Sequence, residues 1–156
     1  MPDPIRVILV DDQSLVRSGF RMLIEAEDDM EVVAEASNGV EALDVLRRMP
    51  VDVALMDIRM PQMDGVEATR RITESPLDTK VLILTTFDLD EYVYAALKAG
   101  ASGFLLKDAR PTELLSAIRN VAAGDAVVAP SATRRLLDHV VPTLPSDPKA
   151  ADKRLS

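Results

Sequence analysis

Apolar and polar positions along this chain alternate between two periods. Residues 5–11, Ile-Arg-Val-Ile-Leu-Val-Asp, are β-branched and nearly all apolar, the pattern of a strand covered on both faces. Residues 13–26 then carry Leu15, Val16, Phe20, Leu23 and Ile24 at helical spacing, with Arg17, Arg21 and Glu25 between them. The pair of patterns recurs. Further strands are predicted over 30–36, 51–57, 80–85 and 102–106, and further helices over 40–48, 66–74, 89–99 and 111–123. Asn38-Gly39 punctuates ahead of the second helix, and Pro61 and Gly65 mark 58–65 as a loop. Gly100 ends the fourth helix, while Pro111 and Gly124 bracket the fifth. Strands that each lead into a helix imply an α/β fold, a doubly wound five-stranded parallel sheet with helices on both faces. Such sheets hold their sites at the carboxyl ends of the strands, where the strand order reverses.

The pattern changes after Gly124. Residues 1–125 read as the compact domain and 126–156 as a linker. Within the linker, 131–141 has helical potential, with Ser131 as N-cap and an apolar stripe of Leu136, Leu137, Val140 and Val141. Residues 142–156 hold three prolines, two lysines and an arginine, with little apolar content, as a linker or tail does.

Composition narrows the chemistry. The 156 residues suffice for one domain, and 47 % hydrophobic with 28 % charged is a globular balance. With no cysteine and one histidine, His139, the chain has no disulfide, no thiolate nucleophile and no two-histidine metal site. The net charge of −8 disfavours nucleic acid and anionic membranes as partners of the whole surface. The opening Met-Pro-Asp-Pro is not a signal peptide, and no segment approaches the ~18 apolar residues of a membrane span. A cytoplasmic protein without membrane contact is expected.

The ends of the predicted strands carry the chemistry. The first ends in Asp11-Asp12, the third in Asp57, the fourth in Thr85 and the fifth in Lys107. Each alone is ordinary: a strand-end aspartate commonly caps a turn, a threonine is a β-former, and a lysine is commonly solvated. Together they would place three carboxylates, a hydroxyl and an ammonium on one sheet edge. Clustered carboxylates need a raised pKa or a bound cation, and hard oxygen donors without His or Cys favour Mg²⁺. A carboxylate nucleophile, a metal and donors for a transferring group are what an aspartyl-phosphate site needs.

These residues lie in motifs that resemble the receiver domain of bacterial two-component response regulators. The matching pieces are Val10-Asp11-Asp12, Leu55-Met56-Asp57-Ile58-Arg59-Met60-Pro61 with Met63-Asp64-Gly65, Leu84-Thr85-Thr86, and Gly100-Ala101 through Gly103-Phe104-Leu105-Leu106-Lys107-Asp108, over about residues 4–125. The resemblance implies a flavodoxin-like sheet of order 2-1-3-4-5. It makes Asp57 the acceptor of a phosphoryl group from a sensor histidine kinase. Asp12 and Asp57 would ligate Mg²⁺ together with the backbone carbonyl of Arg59, and Asp11 would act directly or through water. Thr85 and Lys107 would contact the phosphoryl oxygens, and Phe104 would be the aromatic switch, its ring moving inward as Thr85 shifts. Leu105-Leu106-Lys107-Asp108, the helix from Pro111 to Arg119 and the run 122–131 resemble the NarL/FixJ (LuxR-type) transcription-factor subfamily in particular. Such proteins continue through a linker into a helix-turn-helix DNA-binding domain. The expected output is therefore transcriptional, through phosphorylation-dependent homodimerisation and DNA contact by a C-terminal domain outside this chain. The alternative is a stand-alone receiver acting by protein contact.

The chain is not expected to be an enzyme beyond its self-catalysed phosphotransfer and dephosphorylation. Phosphatases of the haloacid-dehalogenase type place a second Asp two positions after the nucleophile, where this chain has Arg59. A dinucleotide oxidoreductase would need a glycine-rich first turn, and Asp11-Asp12-Gln13-Ser14 would repel pyrophosphate. Asp108 follows Lys107 where many receivers have proline, so no cis bond is expected there. Arg59 and Phe87 fall where side chains border the phosphoryl group in relatives, and Phe87 is expected to hinder attacking water. Tyr92, Val93, Ala96 and Leu97 give the fourth helix an apolar face for the core or a partner. His139 reads as a partly exposed helix residue.

Overall fold

The computed structural model describes residues 3–86 and 91–125, and the main chain of 127–128. Along the chain run β1 (Ile5–Val10), α1 (Ser14–Glu25), β2 (Met30–Ala36), α2 (Gly39–Arg48), β3 (Val53–Asp57), α3 (Gly65–Thr73), β4 (Lys80–Thr85), α4 (Glu91–Lys98), β5 (Gly103–Leu106), α5 (Pro111–Ala122) and β6 (Val127–Val128). The strands form one parallel sheet of order β2-β1-β3-β4-β5-β6, whose first five members follow the expected 2-1-3-4-5 order. The sixth strand, two residues on Gly103 and Phe104, extends the sheet past residue 125, into what the sequence reads as linker. The candidate helix 131–141, with His139, and Phe87 lie outside the described residues.

The buried runs are the ones that periodicity marks as covered on both faces. Val7 to Val10, Val53 to Met56 and Val81 to Leu84 are all almost fully buried, as central parallel strands are. β3 begins at Val53 rather than at 51. Asp52 instead turns its carboxylate onto Arg6, accepting from the Arg6 main-chain N–H at 2.8 Å and from its guanidinium at 3.1 and 3.2 Å. Right-handed crossovers put α1 on the face opposite α2, α3 and α4. α5 shares the face of α1, and Arg119 ties it to the turn after α1 through Asp29 (2.7 and 2.9 Å) and Glu27 (2.7 Å).

The caps follow local chemistry. Asn38 accepts from the Glu41 N–H at 2.9 Å while the Glu41 carboxylate accepts from the Ser37 N–H, a variant of the capping box at the start of α2. Asp64 caps α3 through the Glu67 N–H at 2.9 Å. Pro111 opens α5, and Gly100, φ 113°, and Gly124, φ 96°, take the left-handed conformation beyond α4 and α5.

Candidate functional site

Parallel register carries four distant segments to one edge. Val10 pairs with Met56 across β1 and β3, so Asp11 follows beside Asp57. Asp57 pairs with Leu84, which sets Thr85 one position further out. Thr85 pairs with Leu106, and the next residue, Lys107, donates its N–H to the Thr85 carbonyl at 2.7 Å. The sequence-expected residues are thus neighbours around a cavity of 240 Å³ lined by Asp12, Gln13, Asp57, Ile58, Arg59, Thr85, Thr86 and Lys107.

Charge dominates this cavity. One carboxylate oxygen from each of Asp11, Asp12 and Asp57 lies within 4.8 Å of the other two. The Lys107 ammonium sits 2.7 Å from Asp11 Oδ2 and 3.3 Å from Asp57 Oδ1. The other Asp11 oxygen accepts from the Gln13 N–H at 2.9 Å, so both of its oxygens are engaged. Asp57 Oδ1 also accepts from the N–H of Ile58 at 2.9 Å. Asp11 is buried, Asp57 and Lys107 are half-buried, and Asp12 is exposed. Burial, and then the charge of Asp11, push the Asp57 carboxyl above the ordinary carboxylate range, against the pull of Lys107 and the Ile58 N–H. For Lys107 burial acts downward, but the hydrogen bond to Asp11 and the charge of Asp57 outweigh it and raise the ammonium's pKa.

One ammonium thus faces three carboxylates, and all the acidic donors are hard oxygens. That donor set fits a small divalent cation, and Mg²⁺ among the common ones. Asp12 and Asp57 have oxygens to offer it, Arg59 borders the same cavity, and both oxygens of Asp11 are already engaged.

Several expected residues sit otherwise than in the pocket. Phe104 is fully buried on β5, in register with Ile83 of β4. On α4, Val93 and Ala96 are core, whereas Tyr92 is 47 % exposed and carries the Arg59 guanidinium over its ring at 5.0 Å. The described peptide bonds are all trans, including Lys107–Asp108. Sequence reasoning missed Gln13 and the Ile58 N–H, which act through the main chain and leave no side-chain signature. It also missed why residue 65 is glycine: a Cβ there would meet the Asp57 carbonyl oxygen at 2.1 Å. The available signal was a glycine directly after an N-cap aspartate, where a helix start accepts any good helix former.

A doubly wound sheet with a pocket beyond the carboxyl ends of its strands, where the strand order reverses, belongs to the class of α/β proteins that hold their ligands at that point. Within it, the chain belongs to the response regulator receiver domain family, whose model matches residues 7–119. It is 49 % identical over 125 residues to an uncharacterised transcriptional regulatory protein, YxjL of Bacillus subtilis, a match covering 80 % of this chain and 57 % of that protein. It is 42 % identical over 138 residues to the oxygen regulatory protein NreC of Staphylococcus carnosus, covering 88 % and 64 %. Among solved structures, a two-component response regulator of the LuxR family from Aurantimonas sp. SI85-9A1 superposes with a TM-score of 0.83 at 35 % identity, covering 89 % of this chain and 99 % of that one. The receiver is therefore of the NarL/LuxR type. The chain spans about 57 to 64 % of the length of these curated relatives. Among the described residues, no helix is long and apolar enough to cross a membrane.

Proposed function

We propose that this chain is the phosphoacceptor half of a transcriptional response regulator, with Asp57 as the acceptor. The observation that carries the reading is the meeting of Asp11, Asp12, Asp57 and Lys107 at one cavity. The phosphodonor is the phosphohistidine of a sensor kinase. A carboxylate oxygen of Asp57 forms the new O–P bond as the N–P bond breaks, and the electron pair returns to the imidazole nitrogen. Asp57 suits this role because burial and Asp11 leave its negative charge incompletely offset. Lys107, 3.3 Å from Asp57, is placed to follow the phosphoryl oxygens, and Thr85 lines the same cavity with a hydroxyl to donate. Asp12, Asp57 and the Arg59 carbonyl would hold Mg²⁺, which when bound supplies positive charge to offset that of the phosphoryl group. The chain is not an enzyme acting on other molecules, since the product remains on its own Asp57.

The kinase would approach the open mouth of the cavity, beside which α1 begins; Leu15 and Met22 on that helix are 83 % and 76 % exposed and offer it an apolar surface. Phosphorylation shifts a population between two receiver states, because Thr85 and Lys107 bind the added oxygens differently in each. The readout is homodimerisation, coupled to DNA by a C-terminal domain, as the likeness to transcriptional regulators supports. The test is incubation with Mg²⁺ and a small phosphodonor, followed by intact mass and oligomer size. Wild type should gain one phosphoryl group and shift toward dimer, and Asp57→Asn should do neither. Equal labelling of the two would remove Asp57 from its role.

A further inference from the structure

Arg17 stands beside the acidic pocket without lining it. It lies on α1, four residues past Gln13, and its side chain is 17 % exposed. Its guanidinium donates through Nη1 to the main-chain carbonyl of Asp11, one residue beyond the last β1 ladder pair. Through Nε it donates to Glu35 Oε1 on β2 at 2.8 Å. The second oxygen of Glu35 accepts from Arg21 Nε at 2.8 Å, one helical turn on, so the carboxylate that anchors Arg17 is itself held at both oxygens. Burial acts to raise the Glu35 pKa, but the hydrogen bonds from Arg17 and Arg21 prevail and lower it, which keeps Glu35 ionised as their partner.

We propose that Arg17, anchored by Glu35, is a positioning residue for the cation site, acting through the Asp11–Asp12 main chain that it pins to α1. This deepens the reading above and rests on it. The two aspartates share one turn between β1 and α1. Asp11 is fixed by Lys107 and the Gln13 N–H, whereas Asp12 is exposed and has no comparable hold on its side chain. The orientation of Asp12 is therefore set by the peptide that precedes it, and Arg17 grips the carbonyl of that peptide. Groups that orient a metal's ligands in this way change affinity when removed, typically by ~10–100-fold. A purely electrostatic role for Arg17 has the opposite sign: a cation beside the pocket repels Mg²⁺, so its loss would tighten binding.

The test is calorimetric titration of the whole chain with Mg²⁺, using wild type, Arg17→Ala, Arg17→Met and Asp12→Asn, with thermal melts in chelator as the folding control. Arg17→Ala should weaken Mg²⁺ binding roughly tenfold. In labelling with a small phosphodonor it should raise the Mg²⁺ concentration for half-maximal rate by a similar factor, while the rate at saturating Mg²⁺ stays within about twofold. A general structural loss would depress that saturating rate as well. Arg17→Met, which keeps the aliphatic stem and removes the guanidinium, should weaken Mg²⁺ binding in the same direction, and it decides the matter if Arg17→Ala does not fold. Unchanged or tighter binding in the folded Arg17→Ala variant, or in Arg17→Met where that variant decides, overturns the inference; the cation reading survives if Asp12→Asn still loses binding. Absence of Mg²⁺ binding by wild type overturns both.

Discussion

Gly65 is where fold and chemistry press hardest on each other. Its N–H donates to the Ile58 carbonyl at 2.7 Å, closing the loop that leaves β3 after Asp57. At this closure an added Cβ would lie 2.1 Å from the Asp57 carbonyl oxygen and 3.0 Å from the Asp57 carbonyl carbon and Ile58 Cα. All three are main-chain atoms, so no side chain can swing aside. Gly65→Ala therefore requires the α3 N-terminus and the Asp57 peptide to part by about 1 Å, and overpacking of that kind costs about 1–3 kcal/mol. The better helix propensity of alanine returns at most about 1 kcal/mol. Gly19 is the matched control, for it sits within α1 with no atom within 4 Å of the built Cβ. Gly19→Ala should stabilise by about 0.5–1 kcal/mol. In urea denaturation the Gly65→Ala midpoint should fall and the Gly19→Ala midpoint rise, with unchanged slopes. Because the strain falls on the Asp57 main chain, labelling by a small phosphodonor should also slow in Gly65→Ala, by roughly 10–100-fold for a displacement near 1 Å. A Gly65→Ala protein as stable as wild type and labelled at the same rate would refute the steric account.

Asp57 has a raised pKa, so its ionisation opposes folding: stability is lost as pH rises from the ordinary carboxylate range through the raised value. Asp57→Asn should accordingly melt higher than wild type at neutral pH in chelator, and millimolar Mg²⁺ should raise the wild-type melting temperature more than the variant's; a variant that melts lower in chelator counts against the charge-repulsion argument. At the other end of the molecule, the hydrogen bond from Arg119 lowers the Asp29 pKa, so its contribution is present above about pH 4 and fades as pH falls through the depressed value. Arg119→Ala should cost no more than about 1 kcal/mol at neutral pH, since the pair is largely exposed, and its deficit in urea midpoint should close as the pH is taken below 4. A deficit constant down to pH 2 would show that α5 is held there by packing alone.

The site is legible in the sequence because its parts are strand ends. In a parallel sheet the residue that follows each buried run arrives at the same edge, so reading where Val10, Met56, Leu84 and Leu106 stop was enough to bring Asp11, Asp57, Thr85 and Lys107 together. The errors are of a different physical kind. The apolar pattern puts the start of β3 at Val51, because a hydrophobic period does not show that Asp52 is turned aside by Arg6 from another strand. β6 is two residues long and has no period to read. On α4, where spacing leaves Tyr92 open between the core and a partner, the ring is exposed and meets the Arg59 guanidinium with its face, a contact that hydrophobic spacing does not show. Gln13, Ile58 and Gly65 serve the pocket with main-chain atoms, and Arg17 serves it from outside through the Asp11 carbonyl. The acid and base side chains of such a pocket are thus written as residue types at strand ends. What aligns them is written as distances between main-chain groups, which the one-dimensional pattern does not carry. That division explains why Arg17, on the helix that follows the acid pair, reads by pattern as one more charge on the polar side of an amphipathic helix.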